Sequence, residues 1–404
     1  MSEQAQQNQK CGTCKFAAKR LWVIATVIVI AAVICLLFWK VSPSKRQTVD
    51  EQLAAIEADR AIPASENAAT IYNHILETYD INSFTINFLD EQAEQITRIQ
   101  PWPSKDYLEL VKWLEDRQEI ISRLIEASKI EKCRFPIRPS ITQMPKPNLA
   151  AIRQWVFLLA RAANNDIAEG RVDAALEKYI CLIQLAKHIR QQPAMFDHLF
   201  GITVEAISLH AMASFIVQGD ANEAHLKTIE AIPFQMKNTW STDLTQMLEV
   251  ERLLESKLRK DLSFIGHLRY WYWWYRYGLG IRYSRESLDR THEIYLKLLT
   301  DRRGTQILTA LRRCKNQTGH WPKNLDEIKP FAPAEIFVDP INGSSFVYKL
   351  ADDSFKLYSK GENNIDEDGK RDRWDKEKTG ADDWLIWPTK GRKTQKEKTD
   401  AEQP

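Results

Sequence analysis

One block of the chain carries no polar pattern at all. Residues 21–39 read LWVIATVIVIAAVICLLFW, nineteen positions without a charge. A helix of that length rises about 28 Å, close to the roughly 30 Å of a bilayer's hydrocarbon layer. Trp22 and Trp39 stand at its ends, where amphipathic rings favour the headgroup level. The run exceeds the apolar core of a cleaved signal peptide, and no small-residue cleavage pattern follows it. The pattern therefore predicts an uncleaved, single-pass transmembrane helix behind an N-terminal tail, 1–20. Lys10, Lys15, Lys19 and Arg20 precede the span, and Lys40, Lys45 and Arg46 follow it. That small basic excess favours a cytoplasmic N-terminus and an exported body, as in a bacterial inner-membrane protein.

From 45 to 300 the period changes to that of amphipathic helices. Residues 107–130 place Leu108, Val111, Leu114, Ile120, Ile121, Leu124 and Ile125 three or four apart, which predicts a helix. Pro136, Pro139, Pro145 and Pro147 then mark an extended connector. Two further amphipathic segments follow, joined through Gly170. Ala160, Ala163, Ala174, Ala175 and Tyr179 give the pair the look of a tetratricopeptide-type hairpin. A fainter echo at Gly219 does not keep the period, so the pattern favours an irregular helical domain over a solenoid. Residues 269–283, RYWYWWYRYGLGIRY, interleave arginines with aromatics. Trp271, Trp273 and Trp274 there suit a partner or membrane interface, or an aromatic core face. The charge-rich stretch 285–317 reads as one or two long surface helices.

After about residue 301 the texture becomes that of a small α+β domain, 301–388. Phe346-Val347-Tyr348 and Phe355–Tyr358 are strand candidates, with Asn342-Gly343 and Asp352-Asp353 as turns. Trp384–Trp387 closes the domain as a final strand, and 389–404 is a polar, Lys-rich tail expected to be disordered. The fold class is thus an N-terminal transmembrane helix, a mainly α-helical middle domain and a C-terminal α+β domain with an antiparallel sheet.

Composition narrows the classes. In 404 residues, 56 Lys and Arg against 54 Asp and Glu leave a net charge of +2. A dedicated nucleic-acid binder shows a larger basic excess, so no nucleic acid is expected as a partner. Cys11 and Cys14 form one C-x-x-C without a second pair, open to a zinc half-site, free thiols or lipid attachment. Cys133, Cys181 and Cys314 are an odd number in the body and cannot all pair.

The C-terminal residues resemble the major pseudopilins of type II secretion systems. The likeness rests on Gly319, Trp321, Pro322, Leu325 and Ile328, then Asp339, Pro340, Gly343, Phe346 and Tyr348, then Leu357-Tyr358-Ser359-Lys360-Gly361 and an acidic loop. It implies a helix packed on a small antiparallel sheet. The prepilin-peptidase motif of that family is absent from KCGTCKFAAKRLWV, and a long helical region separates the membrane span from the domain. This points to a pseudopilin-like domain reused in an envelope protein rather than to a pseudopilus component.

The acidic loop is the main chemical candidate. Asn364, Asp366, Asp368, Gly369, the Lys370 carbonyl, Asp372 and Asp375 match the oxygen spacing of a calcium-binding loop. Two positions depart from the template: Asn364 stands first, and the shorter Asp375 stands last. The pseudopilin resemblance implies calcium in the same loop and adds Asp382 and Asp383. No serine-hydrolase, zinc-protease, P-loop or dinucleotide motif occurs. His198, Glu205 and His210 are a conceivable metal set whose spacing does not share one helix face. The sequence therefore predicts a membrane-anchored structural or interaction platform with a calcium-stabilised C-terminal domain, its partner an unidentified envelope protein. Two alternatives stand beside it, an envelope hydrolase with a site between the domains and a true pseudopilus component.

Overall fold

The computed structural model describes residues 47–137, 147–234, 237–261, 285–351, 353–371 and 380–389. The expected membrane span, the Cys11–Cys14 pair, the aromatic stretch 269–283 and the tail beyond Thr389 lie outside the described residues, as do Asp372 and Asp375.

The chain divides into two compact units, residues 1–52 and 53–404. In the first, Thr48 and Glu51 form a reciprocal cap: the Glu51 N–H donates to the Thr48 hydroxyl and the Thr48 N–H to the Glu51 carboxylate.

The second unit is mostly helical, with one three-stranded antiparallel sheet among the described residues. Its helices are α1 (Val49–Asp59, from Leu53 on), α2 (Ala68–Thr78), α3 (Glu91–Ile99), α4 (Leu108–Glu115), α5 (Gln118–Ser128), α6 (Pro147–Ala168), α7 (Val172–Arg190), α8 (Met195–Gln218), α9 (Glu223–Glu230), α10 (Trp240–Asp261) and α11 (Arg285–Thr318). The helix expected over 107–130 is two. Arg117 leaves the helical region at φ −115°, ψ 12°. Its guanidinium donates to the Trp113 carbonyl and lies over the Trp113 ring, 4.1 Å from the centroid. Leu108, read as part of the apolar face, is 72% exposed at the helix start. Pro147, read as connector, opens α6, a position where its missing N–H leaves no helical bond unmade.

The hairpin expected around Gly170 forms. Gly170 takes φ +74°, the left-handed conformation that lets α6 reverse into α7. Ala160, Ala163 and Ala175 are buried on the facing sides, where small side chains allow close approach. The α6 C-terminal end carries polar groups inward. Asn164 accepts from the Tyr179 hydroxyl (2.7 Å), and Asp166 accepts from Lys178 (2.7 Å) and Arg171 (2.7 Å). All of these groups are bonded, as buried polar atoms must be.

Helix α8 is the one described helix long and apolar enough, by length and composition, to cross a membrane. It is a core helix instead, with Asp197, His198 and Glu205 buried along it. Gly201 brings it onto α7: a Cβ there would stand 2.5 Å from Arg190 Cγ. The stretch 285–317, expected on the surface, is the middle of the molecule. In α11, Tyr295, Leu298, Leu299, Ile307, Leu308 and Leu311 are all at most 2% exposed. Its charges survive burial because they are paired, as shown below.

The same helix continues through the boundary expected at 300–301, and the core runs from the helical body into the sheet. Strands β1 (Val347–Ala351), β2 (Ser354–Ser359) and β3 (Trp384–Trp387) lie in the order β1-β2-β3, all antiparallel. Phe355 and Leu357 point into the core with Trp321, which stacks edge-on at 4.8 Å from Phe355. Burying side chains of this size contributes about 1.5–3 kcal/mol each. Gly304 of α11 lets β3 approach; a Cβ would meet Ile386 at 2.7 Å.

Candidate functional site

The loop between β2 and β3 is folded by carboxylates that act on its backbone. It leaves β2 at Gly361, where φ is +66°, and a Cβ there would overlap the Asp382 carboxylate. Asp382 Oδ2 accepts from the Glu362 and Asn363 N–H groups (2.9 and 3.3 Å) and pins the start of the loop. Asp383 Oδ2 accepts from the Glu367 and Gly369 N–H groups (3.1 and 2.7 Å) and pins its end. Asp382 and Asp383, adjacent just ahead of β3, thus serve different parts of the same loop. Left-handed residues Asn364 (φ 56°), Asp368 (φ 60°) and Gly369 (φ 75°) make the turns between.

Asp366 and Asp368, two of the acids expected to converge, meet on Lys349, and the Asp368 N–H donates to Asp366 Oδ1 (3.0 Å). Asp366 Oδ1 accepts from the Tyr358 hydroxyl (2.6 Å), and its Oδ2 lies 3.0 Å from Lys349 Nζ. Asp368 pairs with Lys356 (2.7 Å) and Lys349 (3.2 Å). The Tyr358 hydroxyl, helped by the Asp368 N–H and Lys349, holds Asp366 at about 2. Asn364 accepts from the Ser344 hydroxyl (3.1 Å), so it braces the loop against the Asp339–Ser344 turn. Lys370 donates its N–H to the Glu367 carbonyl.

A second acidic group lies beneath. Asp383 is fully buried, and its Oδ1 has no hydrogen-bond partner. Glu367 Oε2 and Asp382 Oδ1 are likewise shielded and unpartnered. Burial first, and the facing Glu367 carboxyl with it, push Asp383 up to about 7. Two carboxyl groups in such contact hold a shared proton or a cation. Among the described residues, no three His, Cys, Asp or Glu side chains converge as a finished cage. The Glu367–Asp383 pair is the part that fits a hard cation: Asp383 Oδ1 and Glu367 Oε2 are shielded and take no donor, while Asp383 Oδ2 accepts from two backbone N–H groups and Glu367 Oε1 from the Asn363 side chain. Glu367 was missed by the loop template, which counts alternate positions and passes over it.

The histidine and glutamate set of α8 does not assemble. Glu205, 1% exposed, is gripped by Arg302 through both oxygens (2.5 and 2.9 Å) and by Arg190 (2.7 Å). Against the upward push of burial, the two guanidinium groups hold it below the usual carboxylate range. His210 lies half-exposed, 3.8 Å from Asp301. His198 packs against Trp240 and Tyr295 with Nε2 unpartnered, and burial beside Arg190 lowers it to about 4. The three body cysteines are free and buried.

A groove of about 730 Å³ lies on the helical body between α5, α7 and α9. Ile125, Leu176 and Ile180 line it beside Lys129, Asp173 and Glu177. Trp271, Trp273 and Trp274 lie outside the described residues. Compared with known proteins, the chain matches no family model, no curated protein and no solved structure.

Proposed function

We propose that this is a single-pass membrane protein of the bacterial envelope whose helical body is an interaction platform and whose C-terminal sheet is stabilised by calcium. The carrying observation is the Glu367–Asp383 pair, two facing carboxyl groups with a shielded, unpartnered oxygen on each. Calcium takes oxygen ligands in flexible numbers, so Glu367 and Asp383 would hold it with the rest of its shell supplied by other oxygens. Its binding removes the repulsion between the two carboxylates and so stabilises the fold by mass action. The nineteen-residue apolar run supports the anchor. The likeness of the sequence after Gly319 to pseudopilins supports an envelope setting.

The test is a calorimetric calcium titration of the full-length chain in detergent micelles, with thermal melts in calcium and in chelator. Saturable binding and a raised melting temperature are expected, both lost in Asp383→Asn, with magnesium a poor substitute. A folded chain that binds no calcium sinks the reading. Resistance of the chain to alkaline extraction from membranes checks the anchor separately.

A further inference from the structure

Directly after Asp383 the chain enters β3 with Trp384, and this residue reaches into the helical body. Its indole N–H donates to Asp301 Oδ1 on α11 at 2.7 Å, and Asp301 is 4% exposed. The Trp384 ring is flanked by two cations: the Arg371 guanidinium 4.7 Å from its centroid and the Lys297 ammonium at 5.2 Å. Arg371 closes the carboxylate loop by pairing in a bridge with Asp382, and its guanidinium lies 3.9 Å from Glu293 of α11. Two residues beyond Trp384, Ile386 fills the notch at Gly304.

The residues that pin the loop are thus continuous with residues that grip one face of α11, between Glu293 and Gly304. That face leads onward. Asp301 lies 3.8 Å from His210 of α8, and its neighbour Arg302 holds Glu205 of the same helix. Gly304 leaves the room for Ile386 that a Cβ would close, so β3 packs directly on the backbone of α11 there.

We infer that Trp384 and Arg371 couple the cation state of the β2–β3 loop to the α8–α11 interface, so that the C-terminal sheet tunes the rigidity of the helical body. The inference rests on the calcium reading above for its ligand. Without the cation, repulsion between Glu367 and Asp383 loosens the residues next to Trp384; with it, β3 seats and Asp301 keeps its donor.

Amide hydrogen exchange on the full-length chain in micelles, in calcium and in chelator, reads the coupling. Calcium is expected to slow exchange in 362–371 and, by about tenfold, in 205–212 and 295–305. In Trp384→Phe the loop should still bind calcium and gain protection, while the two helical segments no longer respond. Calcium binding with protection confined to the loop in the parent chain overturns the coupling and leaves the calcium reading intact. No calcium binding overturns both. Because the decisive comparison is made within the parent chain, a poorly folded variant does not weaken it.

Discussion

Two buried acids in this protein meet opposite fates. Glu205 is clamped between Arg190 and Arg302, so its charge is neutralised by the chain itself. Asp383, equally hidden, faces another carboxyl group and has backbone N–H donors on one oxygen only. The first arrangement is complete as it stands; the second calls for a proton or a cation from solution. Burial alone therefore says little about function. What distinguishes the two is whether the fold supplies the counter-charge.

Breaking the Glu205 side of this contrast should have the largest effect. Glu205→Ala leaves two buried guanidinium groups without their carboxylate, a loss of about 3–5 kcal/mol, read by chemical denaturation. Acid weakens the helical body in a separate way. His188 and His198 are lowered to about 4 from 6.5, mainly by burial. Groups depressed in this way stabilise the fold above pH 6.5, and that stability is lost as the pH falls from 6.5 towards 4, on the order of 3 kcal/mol each. Asp383 moves in the other direction. Its carboxyl is raised from 3.8 to about 7, so in chelator its favourable contribution is present at low pH and fades as the pH rises through 7; saturating calcium should remove that slope. Melting curves across pH 4–8, with and without calcium, separate the two trends.

Asp383→Asn sharpens the comparison further. The amide oxygen keeps the bonds from Glu367 and Gly369, and the amide nitrogen gives the Glu367 carboxylate a donor. In chelator the variant should be about 1 kcal/mol more stable than the parent chain, while gaining nothing from calcium. The smallest effect belongs to the exposed lysine pairs on the sheet. Lys356→Gln should melt indistinguishably from the parent chain, since solvent already screens the Asp368 pair.

Much of this was legible from the residues. Gly170, the strand pairs around Phe346 and Phe355, and the closing strand at 384–387 all follow from local pattern, because turns and alternation are local properties. The stretch 285–317 misled because its arginines and glutamates look solvated one by one. Only the fold places Arg302 beside Glu205, 97 positions earlier. The break at Arg117 is of the same kind, set by a guanidinium that finds Trp113 and the Ser83 carbonyl. The acidic loop was legible as a candidate but not as a geometry. Asp366 and Asp368 sit at ligand spacing, yet strand neighbours Lys349 and Lys356 meet them first, and a linear template holds no information about the strand alongside.

The unbroken course of α11 has a consequence for how this chain comes to be folded. One face of that helix is closed by residues that precede it by some 90 positions, and another by Ile386 and Trp384, some 80 positions later. A ribosome delivering the chain in order cannot release a finished body and then a finished sheet. Until β3 emerges, the face of α11 around Asp301 and Gly304 stays uncovered. Truncation ahead of Trp384 should thus leave that face of α11 uncovered, a state that limited proteolysis reads as faster cleavage.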